Sequence, residues 1–68
     1  MTTKEVKRQV PIIAKVFAAE QYRRDHPDDG GDAAAAFAER AWTGFVEMAL
    51  DFLAVRAAIA EQEAAPWN

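Results

Sequence analysis

The residues of this chain that invite a chemical reading lie around one short stretch. His26, the only histidine, is followed by Pro27 and surrounded by Asp25, Asp28, Asp29 and Asp32. A histidine beside carboxylates is the raw material of a catalytic dyad or a cation site. Here no serine, cysteine or other nucleophile stands within readable distance, so the dyad lacks the group it would activate. The aspartate spacing matches no calcium loop and has no distal bidentate glutamate. Turn formation and helix capping account for these aspartates better. A glutamate followed three residues later by histidine, the mark of di-iron bundles, does not occur, and no glycine-rich loop follows a strand. Neither a catalytic residue nor a cofactor or metal ligand is therefore expected, and an enzyme is the least favoured class.

A second constellation is basic. Lys4, Arg8 and Lys15 line up along one side of the first predicted helix, with Tyr22 beyond them, a pattern able to meet the phosphate of nucleic acid or of a nucleotide. The overall charge of −3 and the isoelectric point near 4.9 argue against tight duplex binding, which depends on neutralising phosphates. A third feature is the acidic pair Glu47 and Asp51, spaced i,i+4, with Leu50 projecting beside them. Like charges at that spacing repel mildly unless something offsets them. Such a ridge with an apolar point suits a basic protein partner, although a solvated surface is the simpler explanation.

The elements that must position these residues follow from composition and period. Half the chain is apolar, with only 3 Gly and 3 Pro in 68 residues, which predicts a folded domain and not a disordered tail. Apolar residues recur at helical spacing through Val6, Val10, Ile13 and Phe17, with Ile12, Val16 and Ala19 alongside. This places a first helix over about 4–25, opened by Thr2 and Glu5 as a capping box. Pro11 predicts a kink or break within it. His26-Pro27 stops the helix, and Asp28-Asp29-Gly30-Gly31 turns the chain over 26–32, with Asp32 as the cap of a second helix. That helix is expected to run unbroken over about 33–64, roughly 45 Å, before Pro66 and a tail at 65–68. Gly44 within it suggests the close approach of another helix. The fold class is thus all-α, one antiparallel helical hairpin in a single domain.

The second helix carries more apolar surface than the first can cover. One stripe holds Phe37, Ala41, Phe45, Met48, Phe52, Val55 and Ile59; an adjoining one holds Trp42, Val46, Ala49 and Leu53. One stripe can pack on the first helix and the other on a second copy, giving a four-helix bundle. A chain this short, without cysteine for disulfides or thiolate metal sites, also needs such help to be stable. The expected dimer interface comprises Trp42, Phe45, Met48, Ala49, Phe52, Val55, Arg56 and Ile59, together with Glu20. Glu20 and Arg56 project onto apolar faces, and antiparallel long helices paired near Met48 would bring them together across subunits. Charge is also divided: residues 1–25 hold six basic and three acidic side chains, a balance of +3, and the remainder −6. That partition favours antiparallel pairing.

The functional expectation is a homodimeric regulatory or inhibitory protein that acts by binding another protein, in the manner of adaptors, anti-activators, antitoxins or phage-encoded antagonists of host factors. The alternatives are a nucleic-acid or anionic-nucleotide module on the basic stripe and a structural subunit of a larger assembly. An alanine-rich, arginine-over-lysine composition points to a bacterial or phage genome. Absence of cysteine suits the cytoplasm. Pro11 and Lys15 interrupt the early apolar run, so neither a signal peptide nor a membrane span is expected.

Overall fold

The computed structural model describes residues 2–64. Its order is α1 (Thr3–Asp25), α2 (Gly31–Ala41), a 3-10 segment (Trp42–Phe45) and α3 (Val46–Ala64). The fold is all-α. α1 touches α2, the 3-10 segment and α3, whereas α2 and α3 meet through the 3-10 segment between them. The Trp67 tail lies outside the described residues.

α1 begins as the sequence predicts. The Thr2 Oγ1 accepts from the Glu5 backbone N–H at 3.2 Å, which satisfies one of the donors that open a helix. It does not break at Pro11. A proline at that position deprives the Lys7 carbonyl of its donor, and Lys7 lies on the exposed side of α1, where water can replace it. The helix then stops where Pro27 forces it to. His26 leaves helical geometry at φ −134°, ψ 67°, and its N–H closes the last turn on the Tyr22 carbonyl at 2.8 Å.

The start of α2 corrects the expected cap. Gly30, in extended geometry, precedes the helix, and its carbonyl accepts from Ala33 at 3.1 Å with no side-chain cap. Asp32 is therefore inside the first turn, where its carboxylate still faces the positive end of the helix.

The second expected helix is two helices. Ala41, at φ −111°, ψ −2°, departs from α geometry, and Trp42 to Phe45 wind as a 3-10 turn before α3 begins. Local sequence explains why the break falls here. Trp42, the β-branched Thr43 and Gly44 are three successive weak helix formers after an alanine-rich run. Gly44 does not mark a close approach: a Cβ placed there would meet nothing within 4 Å, and its φ is not positive. Its contribution is low helix propensity.

The interior is made mostly of methyl groups. Ala14, Ala18 and Ala49 are fully buried, Ala34 and Ala38 nearly so, and among the described residues Val10 and Leu53 are the only larger buried side chains. Ala14 and Ala18 recur at i,i+4 on α1, as Ala34 and Ala38 do on α2, giving each helix a small-residue ridge that lets the axes approach closely. Val10, Ala14, Ala49 and Leu53 form the cluster between α1 and α3, with Val6, Ile13, Trp42, Phe45 and Val46 packed around it. The inner face of α1 is thus centred on Val10, Ala14 and Ala18. Glu20, roughly 200° around the helix from Ala18, falls outside it. The structure leaves Glu20 exposed and paired with Arg23 on the same helix at 2.9 Å, so the expected placement on the inner face is corrected.

Candidate interaction surface

Because alanines fill the seams, the large apolar side chains are left outside. Ile12 and Val16 on α1, and Met48, Leu50, Phe52, Val55 and Ile59 on α3, are each between 43% and 57% exposed. Of the two stripes, the one bearing Trp42, Val46, Ala49 and Leu53 turns toward α1. Met48, Phe52, Val55 and Ile59 form the uncovered one. Phe52 is anchored at one edge, its ring meeting Phe17 edge-on at a centroid distance of 5.7 Å. Ala49 has no surface left for a second chain, and Trp42 and Phe45 are half-buried against α1. Those three expected interface residues are engaged within the chain.

Coverage also ends abruptly along α3. Every residue from 54 to 64 is exposed, Val55 and Ile59 included. Val55, Ala58, Ile59, Gln62 and Glu63 line a shallow, mostly apolar depression on this distal half. A second groove lies between the helices, lined by Arg8, Gln9, Ile12, Ile13 and Arg56. Its lining combines two isoleucines with two guanidinium groups. Among the described residues neither Arg8 nor Arg56 forms an ion pair.

The basic stripe does not converge. Lys15 is held by Glu39 of α2 at 3.2 Å, and the Tyr22 hydroxyl donates to the Asp29 carboxylate. Lys4 and Arg8 remain exposed at the far end, roughly 20 Å or more from Tyr22 along the helix. Tyr22 belongs instead to an aromatic cluster at the turn. His26 stacks on it at 4.4 Å and Phe37 lies 5.2 Å away. The Asp29 hydrogen bond, then loss of water around the ring, then the Asp29 charge raise the phenol above its usual pKa of 10.0, against a smaller opposing effect of Arg40. This arrangement closes the turn.

No family model, no curated protein and no solved structure matches the chain. The surface must therefore be read on its own geometry. Among the described residues, no cluster of three or more histidine, cysteine or acidic side chains converges as a metal site. No helix among them is long and apolar enough to cross a membrane. Glu47, Leu50 and Asp51 are all exposed on α3, and among the described residues neither acid forms an ion pair. The structure thus offers an apolar strip along α3 with an acidic ridge around Leu50 and a groove lined in part by Arg8 and Arg56.

The burial pattern was missed in the sequence because apolar weight follows the large residues. The run Ala33 to Ala36 reads there as helix propensity. The signal that could have located the seam is the i,i+4 recurrence of alanine on two successive helices.

Proposed function

We propose that this chain is a small homodimeric helical protein whose task is to bind another protein, as a regulator or inhibitor. The observation carrying this reading is the exposure of Met48, Phe52, Val55 and Ile59 along one helix whose other side is packed only as far as Leu53. Scattered apolar residues are ordinary on surfaces, but an extended strip on a chain this small is the mark of an interface. In this reading two helical hairpins associate through α3 into a four-helix bundle. The remaining surface, with Glu47, Leu50 and Asp51 at its centre, receives a basic partner protein.

The second copy supplies the cover that α3 lacks. An isolated helix as short as its distal half is marginal in water, so association and helix formation support each other. The nucleotide-binding alternative has less support, since Lys15 and Tyr22, two of its four residues, are engaged with Glu39 and Asp29.

Sedimentation equilibrium at micromolar concentration tests the dimer, with a folded single chain as the result that overturns it. The partner surface is tested by capture from a bacterial lysate with the intact protein and with Glu47→Lys/Asp51→Lys. Recovery of one stoichiometric protein by the first and not the second is the expected outcome. Equal recovery by both removes the acidic ridge from the proposal.

A further inference from the structure

The tip of α3 and the groove described above are complementary in charge and share apolar character, and their linings meet on α3 at the neighbouring residues Val55 and Arg56. The tip of α3 presents Val55 and Ile59 with Glu63 at the end of the same face. The groove presents Ile12 and Ile13 beside the cations Arg8 and Arg56. We propose that the tip of α3 from one copy docks in the Arg8/Arg56 groove of a second copy, and reciprocally. This proposal rests on the homodimer reading and replaces full-length pairing of the α3 helices by overlap of their distal halves, which leaves Met48 and Phe52 outside the contact between the two α3 helices.

A two-fold contact requires one surface to be its own complement, and adjacency of tip and groove provides that. If the two α3 helices cross antiparallel beside Ile59 and Ala60, residue 63 of one stands level with residue 56 of the other. Each Glu63 then meets the Arg56 of its neighbour, with Arg8 close by on α1. Ile59 lies at the crossing, where its side chain meets its own symmetry mate.

Charge supports this register over one centred on Met48. Arg56 is the only cation on α3, against Glu47, Asp51, Glu61 and Glu63, so unassisted α3 helices repel. The proposed register brings the acidic end of α3 to the basic, N-terminal half of α1, which carries Lys4, Lys7 and Arg8. Such complementarity fixes register and suppresses alternatives.

Charge reversal in the full chain, followed by sedimentation equilibrium, decides the matter. Arg56→Glu and Glu63→Arg each place like charges at both ends of the two-fold contact and weaken the dimer by about tenfold. Combining them restores opposite pairs and returns affinity to within about threefold of the parent. Because the chain has no cysteine, Ile59→Cys gives an independent readout. It forms a disulfide-linked dimer on oxidation, whereas Leu50→Cys, away from the crossing, does not. A parent dimer that is indifferent to both reversals, or whose Ile59→Cys variant stays uncrosslinked, overturns this docking while leaving the homodimer reading intact. A parent chain that is monomeric at micromolar concentration overturns both.

Discussion

The two ends of the molecule solve the same packing problem in different ways. At the turn, α1 and α2 meet through alanines, and the edges of the contact are closed by Lys15–Glu39, Tyr22–Asp29 and the stacked His26. At the other end, α3 carries Val55 and Ile59 into solvent with no element opposite them. Most of the buried positions are alanines, while Val55 and Ile59 stand where the chain does not cover itself. A short chain cannot surround a bulky side chain on every side, but it can bury a methyl between two helices. The exposed large side chains on α3 are the surface on which the proposed second copy rests.

The contrast can be broken most severely from inside. Leu53→Ala removes the largest side chain buried between α1 and α3, and should cost about 2–4 kcal/mol in urea unfolding, enough to unfold much of the population. Filling the seam is the complementary test. Ala14→Leu forces the helices apart and should destabilise by about 1–3 kcal/mol by the same measurement. The uncovered end should respond in the opposite sense. Val55→Ser leaves the dilute, monomeric chain within about 0.5 kcal/mol of the parent, while its concentration-dependent gain in melting temperature disappears. A loss of dilute-chain stability comparable to that of Leu53→Ala would show that Val55 is buried within its own chain. At the 3-10 segment, Gly44→Ala meets no steric obstacle and should stabilise by about 0.5–1 kcal/mol, read as a raised midpoint of thermal unfolding.

The smallest effect concerns the turn. The folded state raises the Tyr22 pKa, so it holds that proton more tightly than the unfolded chain does. The associated stabilisation is complete below the ordinary value of 10.0 and is lost as pH rises through the folded pKa. Tyr22 is the only tyrosine, so tyrosinate absorbance follows it directly. Asp29→Asn should move that titration back toward the ordinary value. An unchanged titration would mean that the phenol is not held by Asp29 in solution.

Much of the architecture was legible beforehand. The Thr2 cap, the stop at His26-Pro27 and the turn through Gly30 are local chemistry, and each is found close to where the sequence puts it. What escaped was decided by packing between elements. Helical period alone placed Glu20 inward because Ile13 and Phe17 dominate the wheel, while the true centre of the face is the far less conspicuous Ala14 and Ala18. The break at Ala41 was hidden because Trp42 and Phe45 preserve apolar spacing through a region that no longer winds as an α-helix. Continuity through Pro11 depends on which side of α1 faces water, and that is settled only once the helix has docked. Of the residues expected at an interface, Met48, Phe52, Val55 and Ile59 were readable as surplus apolar surface. Ala49 was not distinguishable from them without knowing which stripe α1 would take.

Packing through methyl groups has a further consequence for how this chain finds its register. Alanine has no rotamers to freeze, so joining the helices at Ala14, Ala18, Ala34 and Ala38 sacrifices almost no side-chain freedom. The same smoothness means that the alanine ridges themselves lock into no matching hollow, and neighbouring alignments of α1 on α2 differ little in the contacts those ridges make. Discrimination between them falls to the contacts at the rim, the ion pair of Lys15 with Glu39 and the rings of Tyr22 and Phe37.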